Sequence, residues 1–360
     1  MAAVGIEAPI GKVPWSQVGP GWALALWSPV TPTHPGEPPP PGQPTYETSA
    51  TTLYLVDPAG GRYLITAFPP PGDKAGPELA GWSGDGSHAL FYVPSDHSTA
   101  VIVDLHTGAQ TTAPVDGRPR FTLPEGKALL LESDNGASTL TRVDLAGHHQ
   151  LTYPTDKLGG RFNGSYLSTP DGTRLVLGTS AGLVLMGNDG KVGSPLSVPG
   201  SNCRPLRWWD GKTGGTVLAT CDVNVSTMRL WLVPIGGGPA TPLTAPNNGQ
   251  DSPDLNDMNA WHLPAGTFVQ AAGGCGSEFL AKLNANGTTT PVSVPEVNKN
   301  SSVRVIGVDG PALDLQAEVS CGPGQSLLRY DPAANTSTVL LGPPVNGGGV
   351  VATIPYPGQE

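Results

Sequence analysis

A short motif that recurs seven times along the chain most constrains its fold. In each copy an apolar or aromatic residue ends a strand, a tight turn with glycine follows, and an alternating apolar strand begins. The clearest copies read WSGDGSHALF from Trp82 and STPDGTRLVLG from Ser168. The turn glycines are Gly21, Gly86, Gly126, Gly172, Gly215, Gly266 and Gly310, separated by 65, 40, 46, 43, 51 and 44 residues. Spacing of this length is typical of repeated supersecondary units.

A second strand–turn–strand signal lies between successive copies, as in VIVDLHTGAQTT and TRVDLAGHHQLT. Two hairpins in each unit give four strands, and no stretch of the sequence shows sustained helical periodicity. The sequence therefore predicts an all-β fold, a seven-bladed β-propeller with four-stranded antiparallel blades. The alternative is a large β-sandwich with accidental self-similarity. It is disfavoured because two distinct turn signals stay in phase through all seven units.

The repeat also predicts the organisation of the chain, a single propeller domain over residues 1–360. The predicted blades are 13–70, 78–115, 118–155, 163–198, 203–245, 258–294 and 303–342. We expect the ring to close through 349–355, or through 3–10, because both segments fall outside the seven units. A Pro-rich loop insertion at 28–50 accounts for the long first spacing.

Composition and charge exclude several classes of protein. The chain has 49 Gly and 40 Pro, but 38% of its residues are hydrophobic, which is enough for a sizeable core. A net charge of −10 argues against a nucleic-acid partner, because such binders need a basic surface. No apolar run approaches the length of about 18 residues that a membrane helix needs, so we expect no transmembrane segment. The sequence leaves open whether a signal peptide or membrane anchor was removed.

The motifs resemble those of one known family. WSGDG at Trp82 and STPDGTRL at Ser168 are similar to the W-S-P-D-G core of the WD40-like (PD40-type) repeat of TolB-like propellers. VDLHTGAQTT and VDLAGHHQLT resemble the ending of that repeat. The resemblance spans residues 13 to about 342 and is close only in units two to four. The opening VPWSQVGPGWALALW is similar to the first blade of uncharacterised secreted actinobacterial members. The resemblance implies a secreted or periplasmic, usually non-catalytic propeller that binds other proteins.

The four cysteines lie in loops that propeller geometry places on one face. Each blade runs outward from its innermost strand, so loops joining second to third strands, and fourth strands to the next blade, surround one mouth of the central channel. We call this the mouth face. We predict disulfides Cys203–Cys221 and Cys275–Cys321, which would fasten the mouth loops, while other pairings remain open. Paired cysteines without metal-ligand spacing favour an extracytoplasmic location, in the cell envelope, the periplasm or outside the cell.

Acidic residues also gather in the predicted mouth loops. Asp96, Asp134, Asp222 and Glu278 are candidate binding residues, forming an acidic rim that would attract cations or basic peptide segments. Asp251, Asp254 and Asp257 are a candidate calcium site, although their spacing does not match a calcium loop. We expect no other cofactor. No catalytic residue is assigned, because GTSAG around Ser180 joins two strands rather than a strand and a helix.

Two functions follow from these observations. The first is a non-enzymatic extracytoplasmic scaffold, expected to be a monomer, that binds a protein or cell-envelope component through its mouth face. The alternative is a propeller enzyme, a lactonase-like or glycan-directed hydrolase, with a metal or carboxylates in the central channel. The sequence does not identify the partner.

Overall fold

Apolar β-forming segments build 29 strands in the part of the chain that the structure describes. The computed structural model describes residues 5–31, 41–94, 98–134, 138–225, 227–247, 256–297, 301–319 and 324–358. The strands are β1 (Glu7–Pro9), β2 (Ala23–Ser28), β3 (Thr51–Val56), β4 (Arg62–Phe68), β5 (Glu78–Trp82), β6 (His88–Val93), β7 (Thr99–Asp104), β8 (Gln110–Pro114), β9 (Arg118–Phe121), β10 (Ala128–Asp134), β11 (Ser138–Asp144), β12 (His149–Thr152), β13 (Phe162–Ser168), β14 (Arg174–Thr179), β15 (Gly182–Gly187), β16 (Val192–Leu196), β17 (Ser201–Trp208), β18 (Thr216–Asn224), β19 (Thr227–Pro234), β20 (Thr241–Pro242), β21 (Asn256–Leu263), β22 (Gly266–Ala272), β23 (Glu278–Leu283), β24 (Thr289–Pro291), β25 (Ser301–Asp309), β26 (Ala312–Val319), β27 (Gly324–Asp331), β28 (Thr336–Leu341) and β29 (Gly349–Pro355).

Helical structure within these ranges is limited to five short 3-10 turns, at Ile10–Lys12, Trp15–Gln17, Thr155–Lys157, Gly211–Thr213 and Gly274–Gly276. The strands form seven sheets. Six have four strands in sequence order: β5–β8, β9–β12, β13–β16, β17–β20, β21–β24 and β25–β28. Innermost strands of neighbouring sheets contact one another at several blade boundaries, β5 with β9, β13 with β17, and β29 with both β25 and β5, as in strands that surround a central channel. This arrangement confirms the predicted seven-bladed β-propeller with four-stranded antiparallel blades. We number the blades from 1, which contains β2, to 7, which contains β25–β28.

Blade 1 joins the two ends of the chain in one five-stranded sheet, in the order β1-β4-β3-β2-β29. The C-terminal strand β29 is its innermost strand and pairs antiparallel with β2. At the outer edge β1 pairs parallel with β4. The same blade therefore contains both segments proposed for ring closure. Segment 349–355 is its innermost strand, β29, and residues 7–9 of segment 3–10 are its outermost strand, β1.

The first sequence repeat differs most from the expected blade, whereas blades 4 to 7 begin only one or two residues before their predicted bounds. VPWSQVGPGW was expected to supply the innermost strand of blade 1, and 13–70 to be the whole blade. The structure places β29 in that position, so this segment forms a 3-10 turn at Trp15–Gln17 and runs across the outside of the sheet. There the Trp15 ring lies 3.9 Å from the ring of His106 on blade 2.

A buried ion-pair cluster fastens blade 7 to blade 1. The Arg329 Nε donates to Asp314 Oδ1 at 3.1 Å, and its Nη2 lies 3.1 Å from Asp309 Oδ2. The same Nη2 donates to the carbonyl of Gly21 in blade 1 at 3.1 Å. Burial raises the pKa of Asp314 against the opposing effect of Arg329. Gly21 has φ +82° and a Cβ there would collide with Asp309 and Arg329, so this turn requires glycine.

The hydrophobic core lies between blades rather than at the centre of the ring. Trp22 and Leu24 of blade 1, for example, belong to one buried cluster with Trp82 and Phe91 of blade 2. Tyr356, just after β29, packs edge-on against Trp82 at 5.3 Å. Each blade therefore depends on both of its neighbours for burial of its two faces.

Removing residues 349–360 takes away the innermost strand of blade 1. We expect the melting temperature to fall by at least about 10 °C, because β2 loses its hydrogen-bonded partner and both adjacent blades lose buried apolar contacts. Differential scanning calorimetry measures this change. A control that lacks only 357–360 retains β29 and should melt close to the full chain. An unchanged melting temperature in the longer deletion would show that β29 does not hold the ring closed.

Candidate binding site at the channel mouth

The structure describes some of the predicted site residues and not others. Asp96, Asp251, Asp254 and Cys321 lie outside the described residues, as do the side chains of Asp134 and Cys275. The binding role of Asp96 and Asp134, the calcium site at Asp251, Asp254 and Asp257, and the Cys275–Cys321 bridge therefore remain predictions. Asp222, Asp257, Glu278, Cys203 and Cys221 are described, and their positions follow.

The predicted Cys203–Cys221 disulfide is present in the structure. The antiparallel pairing of β17 with β18 brings the two residues together. Both cysteines are fully buried and pack with Val176 and Leu183 of blade 4. The bridge therefore stabilises the core between blades 4 and 5, rather than fastening mouth loops as predicted.

Two of the predicted acidic residues have separate local environments. Asp222, near the mouth end of β18, accepts a hydrogen bond from the Asn202 side-chain amide at 2.8 Å. Asp257 lies on the innermost strand of blade 6 and is only 4% exposed. Asp257 is therefore buried in the wall of the ring, whereas Asp222 is partly exposed at the end of its strand.

Glu278 lies where blades 6 and 7 meet at the mouth. It begins β23, and its backbone N–H donates to Ser302 Oγ at 2.6 Å. The Ser302 hydroxyl in turn donates to the Glu278 carbonyl at 3.1 Å. Ser302 is on β25, the innermost strand of blade 7, so these two bonds fix the Glu278 backbone against that strand.

A second carboxylate, Glu318, lies on the next strand of blade 7. Its Oε1 is 3.3 Å from Arg304 Nη2 and accepts from Gln316 Nε2 at 3.3 Å. Gln316 is fully buried, and its Oε1 accepts from Thr353 Oγ1 on β29 at 2.7 Å. Arg304 also donates to this Gln316 oxygen at 3.3 Å. The ring-closing strand thus helps to orient the groups that hold Glu318.

Arg304 forms an ion pair with Glu318 and also acts on Glu278 through its charge. Burial raises the pKa of Glu278; Arg304 opposes this and the charge of Glu318 adds to it. Burial likewise raises the pKa of Glu318, and Arg304 opposes it. We call these two residues the blade 6–7 carboxylate pair. When both are ionised, two negative charges face one positive charge, so the pair is suited to bind a cationic group, or to exchange a proton when one carboxyl is protonated.

Sequence reasoning found Glu278 and missed Glu318 and Arg304. Glu318 lies inside the predicted second strand of blade 7 rather than in a loop, and Arg304 lies within the first strand. The sequence does contain a signal for them: charged and apolar residues alternate in SSVRVIGVD and ALDLQAEV. A charged side chain on an inner strand must reach either the channel or an oppositely charged side chain.

Among the residues that the structure describes, no group of three or more His, Cys, Asp or Glu side chains is arranged to hold a metal ion. None of the helical segments there has the length and apolar character to cross a membrane.

The sequence matches no protein-family model and has no significant match among curated proteins. Solved structures share its fold. Oligopeptidase B from Leishmania major is 11% identical, with a TM-score of 0.53, over 85% of this chain and 47% of that chain. A Bacteroides fragilis protein described as a putative 6-phosphogluconolactonase is 11% identical, with a TM-score of 0.51, over 92% of this chain and 97% of that chain. TolB from Acinetobacter baumannii is 17% identical, with a TM-score of 0.48, over 76% of this chain and 64% of that chain.

At these identities the similarities show the fold alone. The chain spans less than two thirds of the TolB chain and about half of the oligopeptidase chain, 64% and 47% respectively. The protein is a seven-bladed β-propeller, and the solved structures to which it is similar include both a Tol protein and enzymes.

Reduction of the Cys203–Cys221 bridge tests its contribution to stability. The bridge joins residues 18 apart, and we expect its loss to lower the free energy of unfolding by about 3 kcal/mol. Urea unfolding with and without dithiothreitol measures this. In a Cys203→Ala/Cys221→Ala variant the reductant should no longer shift the midpoint, and any remaining shift would be due to Cys275 and Cys321. A wild-type midpoint unaffected by complete reduction would contradict the prediction.

Proposed function

We propose that this protein is a non-enzymatic extracytoplasmic scaffold that holds a protein or cell-envelope partner at its mouth face. Three observations support the proposal. The propeller gathers its longest loops on that face; the Cys203–Cys221 disulfide is of a kind that persists in oxidising compartments; and the repeats resemble those of TolB-like proteins.

The blade 6–7 carboxylate pair is the observation on which the choice of partner rests. Glu278 and Glu318 are half-buried, which weakens screening by salt and strengthens their field relative to exposed acids. Arg304 compensates only one of the two charges. The partner therefore presents a cationic segment, with a lysine or arginine side chain placed between the two carboxylates.

A labelled ten-residue peptide of alternating Lys and Ser tests this preference. We expect the wild-type protein to bind it more tightly than the matching Glu–Ser peptide, and Glu278→Gln/Glu318→Gln to weaken binding at least about 10-fold, because each change removes a charge-assisted contact. Fluorescence anisotropy measures both affinities. Glu125→Gln, on the opposite face, is the control and should bind like the wild type.

The same peptide should respond to pH. Only the ionised carboxylates attract it, and burial raises the pKa of both residues above the ordinary glutamate value of 4.5. Binding should therefore weaken as the pH falls, starting at a higher pH than for exposed glutamates. Equal binding of the basic and acidic peptides, or equal affinity in the double variant, would contradict a cationic partner.

One observation favours the alternative, an enzyme. Glycan hydrolysis uses two carboxyl groups, one protonated and one ionised, and environments that separate their pKa values set these roles. Burial raises the pKa of both carboxyls, but Glu318 forms an ion pair with Arg304, whereas Glu278 forms none with a residue that the structure describes, and the charge of Glu318 raises its pKa further. In such an enzyme Glu278 would be the general acid and Glu318 the nucleophile or base.

Hydrolysis assays separate the two functions. With aryl glycosides and small lactones as substrates, we expect no turnover above the rate of the Glu278→Gln variant if the protein is a scaffold. An enzyme would lose about 100-fold or more in that variant, at an unchanged melting temperature. Such a loss would overturn the scaffold proposal in favour of the alternative.

A further inference from the structure

A basic groove lies on the face opposite the mouth, between blades 3 and 4. Its volume is about 690 Å³, and its walls come from β11 of blade 3 and from the two turns of blade 4 that follow β13 and β15. The lining side chains on which the argument depends are Arg142, Arg174, Asp189, Lys191, Leu185 and Val192. None of them belongs to the blade 6–7 carboxylate pair or contacts it, so the groove is independent of the proposed function.

Arg142 is held in place before any ligand arrives. Its Nη1 donates to the Asn188 carbonyl at 2.9 Å, across the blade boundary. The Tyr153 hydroxyl donates to the Asn188 side-chain oxygen at 2.6 Å and so fixes the same residue. The Arg142 Nε is buried, so a ligand in the groove can reach only the outer part of the guanidinium. The bond to Asn188 positions this group where Arg142 lines the groove.

Arg174 and Lys191 supply two further cations on the blade 4 side. Both side chains are exposed, and neither forms an ion pair with a residue that the structure describes. Arg174 is close enough to Asp171 to help lower the pKa of that carboxyl. Asp189 is the one acid among the lining residues, and its Oδ1 already accepts the Lys191 backbone N–H at 3.0 Å. The lining side chains carry three positive charges and one negative charge, in a chain whose net charge is −10.

We propose that this groove binds a small phosphate monoester. A monoester carries a charge of about −1.5 to −2 at pH 7, which matches the excess of two positive charges in the groove. Guanidinium groups recognise phosphate oxygens through paired hydrogen bonds. The volume is typical of small-molecule sites, roughly 300–1,000 Å³, and exceeds what phosphate alone needs. Half-buried Leu185 and Val192 offer apolar contact to the organic part of the ligand.

Phenyl phosphate is the probe for this site, with inorganic phosphate and phenol as comparisons, each titrated by isothermal calorimetry. We expect phenyl phosphate to bind, inorganic phosphate to bind more weakly, and phenol not to bind. In Arg174→Gln/Lys191→Gln the affinity for phenyl phosphate should fall at least about 10-fold, because two charge-assisted hydrogen bonds are lost. Amide chemical-shift changes in the wild type should be confined to residue 142 and to residues 172–174 and 185–193.

The matched control is Lys74→Gln/Lys157→Gln, which removes two exposed positive charges outside the groove. This control should bind phenyl phosphate with the wild-type affinity. If it does, the loss of affinity in the groove variant is not explained by net charge alone. The proposal is overturned if the wild type does not bind phenyl phosphate at about 10 mM, which corresponds to a binding free energy near −3 kcal/mol. It is also overturned if the control loses as much affinity as the groove variant, or if the shift changes lie elsewhere. If inorganic phosphate bound as tightly as phenyl phosphate, the proposed preference for a monoester would be overturned.

Discussion

Closure of the ring is the constraint on which the rest of this structure depends. Each sheet has two faces, and the buried clusters run from one blade to the next, so no blade is covered until its neighbours on both sides are in place. An open arc would expose two apolar sheet faces and the free edge of β2. The chain avoids both by returning its last strand to the first sheet and by joining Arg329 to Asp309, Asp314 and the carbonyl of Gly21 across the seam.

The same closure positions the candidate site at the mouth. Thr353 is on the ring-closing strand, and its hydroxyl orients Gln316, which hydrogen-bonds both to Glu318 and to Arg304. Ser302, on the neighbouring innermost strand, holds Glu278. The carboxylate pair therefore depends on three consecutive blades, 6, 7 and 1, and two of the three meet only because the chain ends meet. A weakened seam would disturb binding at the mouth before the ring itself unfolds.

The sequence predicts the number of blades because two turn signals recur in phase, and turn glycines such as Gly86 and Gly172 mark each hairpin directly. It does not predict the inner strand of blade 1, since WSQVGPGW resembles the other repeats and only competition with β29 decides which segment occupies that position.

The candidate site is predicted from the sequence only in part. Glu278 was found from its place in a loop, whereas Glu318 and Arg304 come together with it through packing between blades. The groove escaped notice for the same reason, because Arg142 and Arg174 belong to different blades.

A basic groove can exist on an acidic protein because local geometry, rather than net charge, sets the potential at short range. At physiological ionic strength the screening length is about 8 Å, so acids on the distant mouth face contribute little at the groove. At that range the positive charges of Arg142, Arg174 and Lys191 outnumber the negative charges of Asp189 and of Asp171 beside Arg174. Arg142 is also immobilised by Asn188 and Tyr153, so a bound anion need not reorganise it. The acidic site at the mouth and the basic groove on the opposite face thus differ in charge because different side chains meet at the two blade boundaries. Each site can therefore bind its ligand independently of the other.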